Sequence, residues 1–229
     1  MIRSLVISFA LLFAPPLALA GDFDQFPAPP EASLSQIGLN MRLNGIRMSS
    51  WDLRSQQPID TVLGFYRRLW GTGNPDKPGY TEVKLGEARL LTHVDEDAGL
   101  IFTVQLIRQG AETSGQLAVT DLLAGNGVQP ETLVKDFPRP GGSTVESVLE
   151  GIEAGWKSRT ITLSNPRSVQ QNLEHYIDAL TRSGWQVEDA AMVRSGDGAL
   201  SAARGSDRLQ LAVTRSGAES RTIAVWEER

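Results

Sequence analysis

The chain has 229 residues, a formal net charge of −5 and 41% hydrophobic residues, which is enough apolar material for a packed core. It contains no cysteine and only two histidines, so disulfides, thiolate nucleophiles and zinc–thiolate sites are excluded. The acidic balance argues against a general nucleic-acid binder, which needs clustered positive charge.

The first twenty residues have the pattern of a secretory signal peptide. Arg3 precedes an apolar run that begins at Leu5, and the small residues Ala18 and Ala20 stand where a signal peptidase reads the chain. An uncleaved anchor is the alternative, but the run is short and holds two adjacent prolines. We therefore predict cleavage after Ala20 and no stable membrane insertion of the mature chain.

The missing cysteines and the absence of any N-x-[ST] acceptor distinguish two export routes. Eukaryotic secreted domains commonly carry disulfides and glycosylation sites. We therefore expect the periplasm of a bacterium, with release from the cell as the second choice.

The segment 21–32 contains three prolines and predicts a flexible leader. The order of residue types after it recurs once along the chain, which predicts a divergent tandem repeat. The alternative is two unrelated α+β domains that share generic strand and turn patterns. The paired positions are Phe26 with Phe137, Gly45 with Gly155, Leu63 with Leu173, Tyr66 with Tyr176, Gly79 with Gly184, and Gly110 with Gly217.

The first module is predicted over residues 33–122. Asn44-Gly45 lies between alternating apolar residues, which predicts a β-hairpin. Pro58 begins a helix whose apolar face is built at a 3.6-residue period. Three strands should follow, at Glu87–Val94, Leu100–Arg108 and Gln116–Leu122.

Glycine- and proline-rich residues 123–142 predict a linker before a second module at 143–229. That module repeats the pattern, with two strands between Thr144 and Leu163 and a helix that begins near Pro166. Its remaining strands are predicted at Gln186–Val193, Leu209–Arg215 and Arg221–Glu227. The fold class is therefore α+β, as two tandem ββαβββ modules, each an antiparallel sheet packed on one helix.

The sequence contains no recognisable catalytic or metal-binding motif. Neither histidine, His93 or His175, has a partner at metal or acid–base spacing, and the acidic run at 95–97 fits a turn between strands. No phosphate loop, nucleophile elbow or zinc-protease motif occurs. We therefore predict no catalytic residues, no metal and no cofactor.

The first helix differs from the second in a way that suggests a contact surface. Val62, Phe65 and Leu69 widen its apolar face, whereas the second helix has Asn172, His175 and Ala179 at the matching positions. A wider apolar face is typical either of a partner contact or of a helix buried more deeply in its own domain. The three residues Val62, Phe65 and Leu69 are thus the candidate partner contacts.

The composition and patterns together predict a non-catalytic protein of the cell envelope that binds another envelope protein or a peptide, through sheet edges or the widened helix. One alternative is a small-molecule or glycan-binding protein that uses the cleft between the repeats. Another is a hydrolase whose site contains carboxylates alone, because paired Asp or Glu residues leave no sequence signature.

Overall fold

The computed structural model describes residues 23–74, 77–122, 128–153, 155–193 and 196–228. The predicted signal peptide, with Ala18 and Ala20, lies outside them. The described residues form β-strands, two α-helices and a short 3-10 helix at Pro130–Val134. The elements are β1 (Ala32–Leu43), β2 (Ile46–Ser55), α1 (Ile59–Trp70), β3 (Gly73–Asn74), β4 (Lys77–Pro78), β5 (Tyr80–Leu85), β6 (Ala88–Asp95), β7 (Leu100–Gln109), β8 (Glu112–Asp121), β9 (Thr144–Glu153), β10 (Trp156–Asn165), α2 (Val169–Arg182), β11 (Gln186–Met192), β12 (Gly198–Arg204), β13 (Asp207–Ser216) and β14 (Glu219–Glu228).

The predicted fold class is wrong. Twelve of the strands form one continuous antiparallel sheet in the order β11-β12-β13-β14-β10-β9-β1-β2-β8-β7-β6-β5, instead of two ββαβββ modules that each carry a sheet of their own. The two parts are joined because β1 pairs with β9 at Arg42–Glu150 and Leu43–Leu149. We call the strands on either side of this join the first half (β1, β2 and β5–β8) and the second half (β9–β14).

Each half also has a strand that the sequence did not reveal. β5 (Tyr80–Leu85) is mostly exposed, so its side chains do not alternate clearly between apolar and polar. β12 (Gly198–Arg204) consists mainly of Gly, Ala and Ser, which are weak strand formers. Small residues are needed there because α2 lies directly above: a Cβ on Gly198 would come within 2.5 Å of Leu173 Cδ1.

The predicted hairpin at Asn44-Gly45 is confirmed. Leu43 pairs with Ile46 across the turn, and Asn44 and Gly45 have φ angles of 51° and 79°. A two-residue turn with both φ angles positive is the type I′ turn that Asn-Gly favours, and its twist matches that of the strands.

The hydrophobic core is divided in two along the sheet, with one cluster in each half. Segments predicted to be a flexible leader and a linker contribute to these clusters. Phe26 packs against Trp51, Tyr66 and Phe102, and Phe137 packs against Tyr176. Both phenylalanines are buried, so these two segments close the ends of the cores.

Several contacts recur at positions that the sequence alignment pairs. The Oγ1 of Thr113 donates to the Gln57 carbonyl at 2.7 Å, and the Oγ of Ser220 donates to the Arg167 carbonyl at the same distance. Arg108 Nε donates to the Gly110 carbonyl, as Arg215 Nε does to that of Gly217. The duplication itself stays a prediction.

The two helices begin differently. Ser168 and Gln171 form a capping box at the start of α2, in which each side chain accepts from the other residue's backbone N–H. α1 begins after Pro58, without a side-chain cap. No helix among the described residues is both long and apolar enough to cross a membrane.

Candidate functional site

The two halves meet at a short seam between β1 and β9. β1 and β9 pair at two positions, Arg42–Glu150 and Leu43–Leu149. The next residue, Asn44, adds two hydrogen bonds of 2.8 Å: its backbone N–H donates to the Val148 carbonyl, and its Oδ1 accepts from the Val148 N–H. The remainder of β1, from Ala32 to Met41, is not paired with β9. β1 and β9 are therefore hydrogen-bonded to each other only over this short stretch at the end of β1.

A cleft of about 390 Å³ lies beside this seam. Its floor is formed by Arg42, Glu150 and Arg159, which are successive partners across β1, β9 and β10 and so point to the same face of the sheet. We call it the central cleft, and its lining residues are Asn40, Arg42, Asp136, Glu150, Gly151, Ile152, Lys157, Ser158, Arg159 and Glu228.

Arg159 is the best-fixed charge in the central cleft. Its guanidinium donates to both carboxylate oxygens of Asp136, at 2.9 and 2.6 Å, and to Glu228 at 2.9 Å. It also lies over the ring of Trp226, 4.3 Å from the centroid, a favourable cation–π position. The hydrogen bonds from Arg159 hold the pKa of Asp136 below its usual range, and those to Asp136 raise the pKa of Arg159.

One large apolar side chain is exposed at the rim of the central cleft. Ile152, at the end of β9, lines the cleft and is 75% exposed. Trp156 begins β10 across the hairpin and is 42% exposed, but it pairs with Glu153 and therefore points to the opposite face of the sheet from Ile152. Single exposed apolar residues are common on folded proteins, so it is the combination of Ile152 with the charged cleft that makes this rim a candidate contact surface.

The predicted partner contacts Val62, Phe65 and Leu69 do not share one exposed surface. Val62 is 1% exposed and belongs to the core of the first half. Phe65 packs edge-on against Tyr66 with the ring centroids 5.0 Å apart, and Leu69 is 49% exposed. A role for α1 in binding stays a prediction, and only its Leu69 end presents a large apolar surface.

Both histidines lie away from the central cleft, in packing positions. His93 stacks on Trp70 with the centroids 5.1 Å apart, and its Nδ1 lies 2.8 Å from the Gly79 carbonyl oxygen. His175 lies against Tyr176, and burial, together with Arg167 and Arg182, lowers its pKa. Among the described residues, no group of His, Cys, Asp and Glu could hold a metal ion.

Sequence reasoning offered a cleft between the repeats as an alternative binding site, but it did not identify the residues of the central cleft. Arg42, Asp136, Glu150, Arg159 and Glu228 are scattered over nearly the whole chain. The pairing of β9, β10 and β14 and the ion pair of Asp136 with Arg159 bring the last four together, and the pairing of β1 with β9 adds Arg42. The sequence carries no local signal for these residues, because partners on different strands are not spaced in a periodic pattern along the chain.

Comparisons with known proteins give little. No family model matches the chain, and no curated protein matches it. Among solved structures, the apo structure of the immunity protein TplEi of T6SS from Pseudomonas aeruginosa is similar, with 8% identity and a TM-score of 0.30 over 88% of this chain and 84% of that one. A similarity at this level carries no argument about function.

Proposed function

We propose that this chain is an exported periplasmic protein of the bacterial cell envelope that binds another envelope protein and catalyses no reaction. The observation that carries the proposal is the exposure of Ile152 at the rim of a charged cleft. Protein interfaces combine large apolar anchors with a polar surround. The export part rests on the signal-peptide pattern at residues 1–20.

The charges of the central cleft favour a protein over a simple ion. Arg42, Lys157 and Arg159 are cationic there, and Asp136, Glu150 and Glu228 are anionic. A small ion of either sign would meet both attraction and repulsion. A protein surface can present both signs in the matching order, which gives specificity and a faster encounter.

The carboxylates of the central cleft suit binding better than acid catalysis. A general acid has a raised pKa so that it keeps its proton near neutral pH. Asp136 has its pKa lowered by Arg159, and Glu228 also accepts from that guanidinium. Asp136 is therefore held as an anion in its ion pair with Arg159, and Glu228 is bound to the same guanidinium, which supports a binding surface.

The test compares Ile152→Asp with Ile223→Asp. Ile223 is likewise exposed, but its neighbours Thr222 and Ala224 are buried, so its side chain points to the opposite face of the sheet from the helices. A photo-reactive residue at position 152 should crosslink a discrete envelope protein in living cells, and the same residue at position 223 should not. With that protein purified, Ile152→Asp should raise Kd at least tenfold by calorimetry, while Ile223→Asp leaves it unchanged.

Two results would overturn the proposal. One is equal crosslinking from positions 152 and 223, because contact through the cleft rim predicts a difference. The other is an unchanged Kd for Ile152→Asp when its melting temperature matches that of the parent.

Binding of a small molecule or glycan in the same cleft is the second candidate. Its support is the cleft volume of about 390 Å³, which falls within the roughly 300–1,000 Å³ typical of ligand sites. Under this alternative, a panel of sugars and amino acids would include a compound that raises the melting temperature, and Glu150→Gln would abolish the shift.

A further inference from the structure

The two outer edges of the sheet are built differently. β11 has a register shift between Val187 and Asp189 and carries adjacent acidic residues there. Bulges and charges of this kind prevent another strand from adding to an edge. β5, at the other end, pairs with β6 without any register shift from Tyr80 to Leu85.

β5 also presents apolar groups along its free edge. Val83 is 44% exposed and Leu85 is 57% exposed, and Lys84 between them is exposed as well. β5 is the terminal strand of the sheet within the described part of the chain. Its outward backbone groups are thus available to a further strand.

We infer that β5 pairs antiparallel with β5 of a second copy of this chain, with the two-fold axis midway between the two opposed Val83 residues. In a continuous sheet, residues directly opposite one another point to the same face. A residue of β5 must therefore face its own copy across the axis, because a register that opposes two successive residues would pair side chains from different faces.

Charge then disfavours the two registers next to the one centred at Val83. With the axis at Glu82, the two Glu82 carboxylates face each other, and with the axis at Lys84, the two ammonium groups do. Like charges directly opposite one another destabilise a strand pair. With the axis at Val83, each Glu82 faces Lys84 of the other copy, Val83 faces Val83, and Thr81 faces Leu85.

Glu82 is fixed in place for this pairing. Arg67 donates to both of its carboxylate oxygens at 2.9 Å, and Arg89 donates to one of them. A carboxylate has about four acceptor positions, so one remains for Lys84 of the second copy. Because its rotamer is already held, Glu82 loses little conformational freedom on dimerisation.

The chain contains no cysteine, so single cysteines report on the register without background. In a Val83→Cys variant, the two introduced side chains lie opposite each other, with Cβ atoms about 4.5–5.5 Å apart. A short thiol crosslinker should join them rapidly. In the matched control Leu85→Cys, the introduced residues are four positions out of register, about 13 Å apart, and should crosslink at least tenfold more slowly.

A second measurement needs no thiol. Sedimentation equilibrium of the mature chain should fit a monomer–dimer model, and Lys84→Glu should raise the dissociation constant at least tenfold because Glu82 then faces another anion. Glu188→Lys, on the opposite edge, should leave it unchanged. Circular dichroism melts establish that each variant is folded.

The pairing is independent of the central cleft, so its failure would leave the proposed function standing. Equal crosslinking rates for Val83→Cys and Leu85→Cys would overturn the pairing of β5 with its copy. A chain that stays monomeric at the highest concentration measured would also overturn it. Crosslinking of position 83 to a different protein alone would show that the edge takes a foreign strand.

Discussion

At the scale of single residues, the best-defined difference between the halves is a pair of buried amides. Asn165 and Asn172 donate to each other's side-chain oxygens at 2.8 and 3.1 Å, and both residues are buried. The alignment places Ser55 and Val62 at the matching positions of the first half. Ser55 Oγ and Asn165 Oδ1 each accept from the backbone N–H two residues on, so the backbone contact is kept where the amide pair is not.

Asn172→Val should lower the free energy of unfolding by about 2–3 kcal/mol, because it leaves the Asn165 amide buried with fewer partners. The double variant Asn165→Ser with Asn172→Val, which copies the first half, should recover at least half of that loss. Urea denaturation of both variants measures the two values. A double variant less stable than Asn172→Val would show that the two sites are not equivalent.

Residue-level roles were only partly predictable. The sequence identified Asn172 as the counterpart of Val62, but it did not identify Asn165 as its partner, since they join the end of a strand to the first turn of a helix.

At the scale of elements, three charged side chains fasten α1 to the edge of the sheet. Glu82 of β5 binds Arg67 of α1 and Arg89 of β6. The side chain of Glu82 is 19% exposed, and hydrogen bonds from Arg67 lower its pKa. In the second half, the aligned residues are Ile177 and Val187, which pack against the core. The two halves thus hold the same elements together by different forces.

Glu82→Gln should lower the free energy of unfolding at pH 7 by about 1 kcal/mol, because charged hydrogen bonds to Arg67 and Arg89 become neutral ones. The folded-state pKa of Glu82 lies below its ordinary value of 4.5. The contribution is therefore complete well above pH 4.5 and is lost as the pH falls through the lowered pKa.

Urea titrations of parent and Glu82→Gln between pH 7 and pH 3 measure this difference. The gap between the two proteins should be constant down to about pH 5 and should close below that. Glu188→Gln, on the exposed edge strand β11, is the control and should show no gap. A gap that stays constant to pH 3 would contradict a role for the ionised carboxylate.

Elements with strong local signals were predicted well, and weak ones were missed. Both helices begin within a few residues of the predicted prolines and carry the predicted apolar faces. The hairpin at Asn44-Gly45 is where its turn chemistry requires it. β5 and β12 were missed because one is an exposed edge and the other is made of small residues beneath a helix.

At the scale of the whole molecule, the seam between β1 and β9 determines whether the two halves unfold together or separately. Two hydrophobic clusters lie on either side of it, and Asn44 makes the contacts that extend it. Its carbonyl also accepts from the Val128 N–H at 3.1 Å. A single residue therefore bonds to β9 and to the segment that leads into the second half.

Asn44→Gly keeps the positive φ of the turn but removes the acceptor for the Val148 N–H, and should cost about 1–2 kcal/mol. The Asn44→Gly variant should also allow the two halves to open independently of each other. Hydrogen exchange read by mass spectrometry should then show different protection for β5–β8 and β11–β14, where the parent shows similar protection. Asn44→Asp keeps a side-chain acceptor and should behave like the parent, and equal protection in all three proteins would contradict the idea.

The joining of the halves into one sheet was beyond sequence reasoning. Local pattern shows which segments are strands, but the partner of an inner strand depends on contacts across more than a hundred residues, as for Leu43 and Leu149. The predicted modules were expected to end at their own edges. The free edges of β1 and β9 instead meet each other, and the central cleft exists because of that pairing.

The central cleft has walls that belong to separately packed bodies, with Arg42 on one side of the seam and Lys157 on the other. A ligand that spans both must fix the angle between them, and the entropy lost in doing so weakens binding. A stiffer seam would reduce the entropy lost on binding, and the complex would then last longer without any new contact. Under the proposed function, affinity would thus be tuned from turn residues such as Asn44, which the ligand need never touch.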